Sequence, residues 1–296
     1  MNRRRFLNLC GCMLAVATLC GALTAAASAQ SSQPSEPALK AALLSDTHIP
    51  TDLSWQPYAN QKPPAEHLRE VARQIAESNF DFSLVCGDLA RVAGEPGDYK
   101  NWQMLMAPVL AKMPVHAAMG NHDVLTNYYQ VFGKPEEKVT AIKNKHVLAF
   151  EKAGLRFVVL DSHVGPPAVP GLLGKAQRQW LERYLESEDP RPVFVFLHHA
   201  LTDEDSDLLD SDRLLNILLP KRQVKAVFYG HSHCFSHTQI EDLNVVNLPA
   251  TGYSFSTNQP IGWVEGRFTA KGAVLLVHAV DGDKTLNGQP IPLTWR

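Results

Sequence analysis

Val115-His116-Ala117-Ala118-Met119-Gly120-Asn121-His122-Asp123 carries the deciding pattern of this sequence. A short apolar run ends at a glycine and gives way at once to three side chains able to hold a metal or move a proton. A run of this length, bounded by a turn residue, reads as a buried strand. Four more apolar runs give way at once to metal-competent residues, two of them through a glycine. Leu39–Leu44 and Ser45 lead to Asp46 and His48; Phe82–Cys86 and Gly87 lead to Asp88. Val193–Leu197 leads to His198 and His199, and Val224–Tyr229 with Gly230 leads to His231 and His233. Open α/β sheets bind ligands beyond the carboxyl ends of their strands. If these strands are parallel, all five clusters meet on one rim.

The rest of the chain supports this frame. Val147–Phe150 and Leu155–Leu160 read as further strands. Helical spacing lies between many of the runs. One helix opens at Pro63-Pro64 and continues through Leu68, Val71, Ala72, Ile75 and Ala76. Others span about 98–111, about 175–187, and Asp212–Leu219, the last stopped by Pro220. Past residue 235 the strands follow one another without helices: Phe235–Ile240, Asn244–Leu248, Trp263–Phe268 and Ala273–Ala279. Strands alternating with helices, then a run of strands, predict an α/β body with a mixed sheet, in one domain over residues 39–296. A chain of 296 residues with 45% apolar and 20% charged residues buries a large core without disulfide or metal staples. A net charge of -2 argues against a nucleic-acid binder driven by bulk charge, and no stable nucleic-acid partner is expected.

Residues 1–29 read as an address. Arg3-Arg4-Arg5 precede an apolar stretch from Leu9 to Ala27 and a small-x-small exit at Ala27-Ser28-Ala29, the layout of a secretory signal. The arginines followed by Phe6-Leu7 resemble a twin-arginine signal. Cleavage is expected after Ala29, with export by the twin-arginine machinery to the periplasm or the medium, and residues 30–38 as a flexible linker. Three of the five cysteines fall in this segment, leaving Cys86 and Cys234. Cys86 reads as a small core residue, and a Cys86–Cys234 bridge is permitted in an oxidising compartment.

The polar clusters differ in weight. Asp-x-His and Gly-Asp pairs arise by chance in a chain of this composition. Gly-His-x-His is expected about 0.03 times and Gly-Asn-His-Asp about 0.002 times, so Gly230–His233 and Gly120–Asp123 carry the argument. Carboxylate, imidazole and amide oxygen without thiolate suit Mn, Fe, Zn or Ni rather than a structural cysteine zinc site. Two histidines at i and i+2 in a tight glycine turn can face two metals, and Asp88 is the candidate for a carboxylate between them.

Asp46-x-His48, Gly87-Asp88, Gly120-Asn121-His122-Asp123, His198 and Gly230-His231-x-His233 together resemble, in order, the calcineurin-like metallophosphoesterase family, over about residues 40 to 250. The resemblance implies a four-layer αββα sandwich with mixed sheets. It implies one metal held by Asp46, His48, Asp88 and His233, and a second by Asp88, Asn121, His198 and His231. It places His122 beside the substrate phosphate as proton donor, and implies attack by a hydroxide lying between the metals. The motif set is most similar to the branch with bacterial cyclic-nucleotide phosphodiesterases. A small phosphodiester is therefore the expected substrate, such as a cyclic nucleotide or a glycerophosphodiester. A phosphomonoesterase, or an inactive metal- or phosphate-binding protein, is the alternative. Two departures stand out: Arg91 occupies a position where many relatives carry an Asp supporting the catalytic His, and the His198 motif continues as His199-Ala200. Asp123 is the nearest substitute for that Asp; it either orients His122 or holds the loop backbone.

Outside these motifs, His116, His146, His163 and His278 read as core or surface histidines. The acidic run Asp203–Asp212 reads as a solvated loop. Trp55, Tyr58, Tyr128, Tyr129, Phe235 and Tyr253 lie near motif loops and either line a pocket or pack. The segments Pro50–Pro64 and Gly165–Gly174 are loops placed to govern access.

Overall fold

Side chains of β1 (Leu39–Leu44) alternate between two environments. Leu39, Ala41 and Leu43 face a second sheet, while Ala42 and Leu44 face helices. That period of two, repeated along neighbouring strands, builds the molecule. The computed structural model describes residues 39–296; the signal and linker read at residues 1–38 lie outside the described residues. In chain order after β1 come α1 (Pro64–Ala76), β2 (Phe82–Cys86), α2 (Pro96–Leu105), α3 (Ala107–Leu110), β3 (Val115–Ala118) and α4 (Leu125–Phe132). Then follow β4 (Leu148–Lys152), β5 (Leu155–Val159), α5 (Lys175–Leu185), β6 (Val193–Phe196), α6 (Ser211–Leu218) and β7 (Val224–Tyr229). The chain closes with β8 (Ser236–Ile240), β9 (Leu243–Asn247), β10 (Pro260–Phe268), β11 (Gly272–Gly282) and β12 (Pro290–Thr294).

Two six-stranded sheets form, in the orders β12-β11-β10-β1-β2-β3 and β4-β5-β6-β7-β9-β8. β1, β2 and β3 run parallel in the first sheet, and β5, β6, β7 and β9 in the second; the remaining pairings are antiparallel. The sheets face each other across an aromatic core that includes Phe82, Phe157, Phe194, Phe196, Phe228 and Phe268. Phe196 and Phe228 stack with centroids 4.8 Å apart. Helices α1 to α4 cover the outer face of the first sheet, and α5 and α6 that of the second. The result is the four-layer αββα sandwich with mixed sheets. Among the described residues no helix is long and apolar enough to cross a membrane.

Several local expectations need correction. The helix read over 98–111 is two, α2 and α3, because Pro108 has no N–H and its ring collides with a continuous helical backbone. Helix α4 is an element beyond the expected ones; it begins just after the polar Gly120–Asp123 motif and is rich in aromatics. β12 is a further addition, in a segment where Pro290 and Pro292 argue against a strand. It lies at the sheet edge, where a missing N–H is tolerated. Cys86 and Cys234 are both free, with Cys86 buried between the sheets, so the permitted bridge is not made. The acidic run is not uniformly solvated. Asp210 accepts hydrogen bonds from the backbone N–H of Leu173 and Gly174 and pairs with Arg178 at 3.3 Å. Its burial satisfies donors at the start of α5, where a carboxylate is favoured. Asp207 is buried too and accepts the Thr202 hydroxyl.

Candidate metal centre

The polar clusters converge, but the rim is built by two sheets. Asp46, Asp88 and Asn121 follow β1, β2 and β3 of the first sheet, and His198, His231 and His233 follow β6 and β7 of the second. The strand-end loops are tied together by backbone bonds, from Asp46 N–H to the Gly87 carbonyl (3.1 Å) and from His48 N–H to the Asp88 carbonyl (3.0 Å). Eight non-glycine residues have positive φ among the described residues. Five of them are Asp46, His48, Asp88, His231 and His233. Each such position costs about 1 kcal/mol or more, and such strain persists where the surroundings over-determine it, typically at functional sites. Gly120 has its own reason: a Cβ there would overlap the Asp88 carboxylate.

Hydrogen bonds decide which imidazole nitrogens face the centre. His48 Nδ1 contacts the Arg91 carbonyl (3.2 Å) and His233 Nδ1 the Tyr253 carbonyl (2.7 Å). A carbonyl only accepts, so both Nδ1 atoms carry the proton. In the neutral rings both Nε2 atoms then present lone pairs, yet they lie 3.0 Å apart with no proton between them. Asp46 Oδ1 stands 3.8 Å from His48 Nε2 and 3.5 Å from His233 Nε2. The second group repeats this. His198 Nδ1 donates to the Cys86 carbonyl (2.7 Å) and His231 Nε2 to the Ser206 carbonyl (3.0 Å). His198 Nε2 and His231 Nδ1 consequently face each other at 3.2 Å, with Asn121 Oδ1 3.1 Å from His198 Nε2. Asp88 Oδ2 lies between the groups, 3.6 Å from His48 Nε2 and 3.4 Å from His198 Nε2. Converging lone pairs of this kind repel unless a cation lies among them. The donor set therefore fits two divalent transition metals.

The electrostatics agree. Burial, with the nearby Asp88 charge adding to it, pushes the Asp46 carboxyl up to about 7, against the His198 interaction and hydrogen bonds that favour its charge. Burial lowers His48 to about 4. Burial also opposes a charge on His198, but the Asp88 carboxylate overrides it and holds the ring at about 9. Without a cation, protons must supply the charge that these buried carboxylates require.

Other residues have definite places. His122 is partly exposed; its Nδ1 donates to the Val92 carbonyl at 2.9 Å and its Nε2 lies 3.9 Å from Asp88 Oδ2. Asp123 contacts the loop backbone instead of the His122 ring, accepting from the N–H of Leu89, Ala90 and Gly120 and from the Tyr99 hydroxyl. Arg91 contributes its carbonyl to His48, while its guanidinium lies 4.0 Å from the centre of the Trp55 ring. His199 has both nitrogens engaged, Nδ1 with the Ser162 hydroxyl (2.7 Å) and Nε2 with the Val169 carbonyl (3.0 Å). His198 is thus the one of the pair directed at Asp88. His116 and His278 stack on Phe150 and Trp263, and His146 bonds the Tyr129 hydroxyl, so these three pack.

The donors open into a cavity of about 510 Å³, bordered also by Tyr253 and Phe255. Of the flagged aromatics, Tyr253 lines it, whereas Tyr128 packs behind the first sheet. Two lining residues lie outside every motif: Phe255, which stacks on His233 at 4.3 Å although 63% exposed, and Asn247 on the cavity wall. A larger groove of about 710 Å³ between α1 and the segment from Leu105 to Lys112 is lined largely by charged side chains, of which Arg73 pairs with Glu70 and Glu77, and holds none of this chemistry.

Residues 39–235 match the family described as calcineurin-like phosphoesterase. The chain is 29% identical over 260 residues to the 3',5'-cyclic adenosine monophosphate phosphodiesterase CpdA of Haemophilus influenzae, a match covering 82% of this chain and 90% of that one. It is 24% identical over 177 residues to the glycerophosphodiester phosphodiesterase GpdQ of Enterobacter lignolyticus, covering 58% and 62% respectively. In fold it is similar to a dimetal phosphatase from Danio rerio, with a TM-score of 0.70 at 14% identity, covering 88% of this chain and all of that one. A family match over more than half of the sequence joins a site whose lone pairs demand cations, and on both grounds the chain belongs to the calcineurin-like phosphoesterase family and is a metal-dependent phosphoester hydrolase.

Proposed function

We propose that this chain is an exported phosphodiesterase with two metal ions, acting on a small phosphodiester, with cyclic nucleotides and glycerophosphodiesters as the substrate classes. The observation that carries this reading is the position of Asp88 Oδ2 between two pairs of facing imidazole nitrogens. Asp46, His48, Asp88 and His233 would hold one metal, and Asp88, Asn121, His198 and His231 the other. Two such cations supply Lewis acidity, polarising a phosphoryl group and lowering the pKa of water. The choice of a diester is supported by similarity to relatives named as cyclic-nucleotide and glycerophosphodiester phosphodiesterases.

The chain's own residues supply the rest. The Val92 carbonyl keeps the His122 proton on Nδ1 and turns Nε2 towards the cavity. A proton carried on Nε2 passes to the leaving oxygen as the phosphorus–oxygen bond breaks and water oxygen joins phosphorus. Asp123 fixes the loop that presents His122 and acts on it through the backbone. Export is supported by the Arg3-Arg4-Arg5 start and the Ala27-Ser28-Ala29 exit.

The test is turnover of bis(p-nitrophenyl) phosphate against p-nitrophenyl phosphate, using the chain from Gln30 purified with Mn²⁺ and assayed for bound metal. Diester preference with about two metals per chain is the expected result. Monoester preference would replace the reading with a phosphatase, and failure to retain metal would sink it. Fractionation of cells carrying the full chain tests export, with the processed protein expected outside the cytoplasm.

A further inference from the structure

Part of the cavity lining takes no part in holding the metals or moving the proton. Ser232 and Asn247 line it, as do Thr202, Glu204, Ser206 and Asp207 of one loop. β9 pairs in parallel with β7, placing Asn247 opposite Tyr229, so Asn247 stands one strand out from the His231 turn. The loop from Thr202 to Asp207 is fastened to that turn, because His231 Nε2 donates to the Ser206 carbonyl.

Asn247 is 4% exposed. Its Nδ2 donates to the Ser232 hydroxyl, but its Oδ1 is buried and has no hydrogen-bond partner. An unpaired buried amide oxygen costs about 1–3 kcal/mol, so such groups are rare and call for a partner that the protein itself does not provide. Of the buried side-chain atoms in this condition among the described residues, only this one belongs to a residue lining the cavity. The lining offers further acceptors. Glu204 and Asp207 bring carboxylates, and among the described residues no Lys or Arg lines the cavity. The chemical complement is a group bearing O–H or N–H donors and no negative charge. A second phosphate would meet carboxylates and a bare carbonyl oxygen.

We propose that Asn247, with Glu204 and Asp207, forms a subsite that reads hydrogen-bond donors on the organic part of the ester. The enzyme thereby selects singly charged diesters that carry free hydroxyl or amino groups. This rests on the phosphodiesterase reading above, and deepens it by assigning the residues that recognise what is attached to the phosphate.

The experiment compares kcat/KM for 3',5'-cyclic AMP, which bears a hydroxyl and an amino group, with that for bis(p-nitrophenyl) phosphate, which bears no donor. In Asn247→Leu the loss on the cyclic nucleotide should exceed the loss on the aryl diester by about tenfold or more, mainly through KM. Its melting temperature should change little, because removing the unpaired buried oxygen offsets the loss of the Nδ2 hydrogen bond to Ser232. Equal losses on the two substrates, or no loss on the cyclic nucleotide, overturn the subsite. Glu204→Gln, on an exposed loop, supplies an independent reading should Asn247→Leu fail to fold. Discrimination between 3',5'-cyclic AMP and the doubly charged 5'-AMP should relax by about threefold or more, since like charges in proximity disfavour the wrong ligand; an unchanged ratio overturns the proposal. Wild-type enzyme that hydrolyses the aryl diester but neither cyclic AMP nor glycerophosphodiesters removes the subsite and leaves the phosphodiesterase reading standing. Wild-type enzyme with bound metal that hydrolyses no diester removes both.

Discussion

At the residue scale the centre turns on Asp88, whose Oδ2 faces both imidazole groups while its Oδ1 accepts the His122 backbone N–H at 2.9 Å. Burial opposes its charge, but His198 and His48 hold its carboxyl well below the usual range. Asp88→Asn keeps the shape and removes the charge shared by both groups. Bound metal, measured by elemental analysis, should fall from about two per chain to less than one, and turnover by at least about a thousandfold. His122 makes a different prediction, since it touches the cavity edge and its ring is held by Val92. His122→Ala should keep its metal and lose about 10²- to 10⁴-fold in kcat on an alkyl diester. The loss should be smaller for p-nitrophenyl esters, whose leaving group needs little protonation. A uniform loss across leaving groups would show that His122 binds and does not protonate. These residues were legible in the sequence because metal chemistry restricts residue types. The Val92 carbonyl was not, since any residue could supply it.

At the element scale the strand-end loops explain Asp123. Its carboxylate gathers three backbone N–H groups and the Tyr99 hydroxyl, in a setting where burial and the Asp88 charge push its carboxyl up to about 6. Asp123→Ala leaves those donors unpaired and should destabilise the protein by about 3 kcal/mol or more in urea unfolding, with weaker metal retention. If Asp123→Asn instead kept full stability but moved the acid limb of the pH–rate profile, a direct role through His122 would be restored. The segment before β4 yields a pH prediction. Burial, aided by the Lys138 charge, holds the His146 imidazole down to about 3. Because the folded value lies below the unfolded one, this group's stabilisation is complete above pH 6.5. It is lost as pH falls towards about 3, at up to about 1.4 kcal/mol per pH unit. His146→Gln should therefore show a shallower decline of urea midpoint than wild type over that window. A parallel decline in the two proteins would place the acid sensitivity elsewhere. The split between α2 and α3 at Pro108 and the edge strand β12 belong to this scale too. Proline was visible in both, but whether it breaks a helix or sits harmlessly on a sheet edge depends on the neighbours.

At the scale of the whole molecule the two sheets meet where the metals are proposed, each supplying donors to the shared centre. Bound metal would therefore act across the inter-sheet seam as well as in the reaction. Removing it with a chelator should lower the melting temperature, and restoring Mn²⁺ at about a hundred times its Kd should return about 2.7 kcal/mol of stability. A melting temperature indifferent to chelation, in protein shown to have held metal, would mean that the donor loops are braced by the fold alone.

The sequence by itself determined the strand-and-helix alternation, the family and the candidate metal donors, because hydrophobic period and ligand chemistry are local properties of residue types. The family resemblance also named His198, and not His199, among the donors. The tertiary structure decided which nitrogen of each histidine faces the centre, since that follows from carbonyls at Arg91, Tyr253, Cys86 and Ser206 that arrive from distant loops. It decided that Asp207 and Asp210 are buried and that Asp123 holds the backbone. It also placed Asn247 in the cavity wall with an oxygen unpaired. Those outcomes depend on which groups the packed sheets bring within hydrogen-bond reach, a relation between positions far apart in the chain that no local pattern of residues encodes.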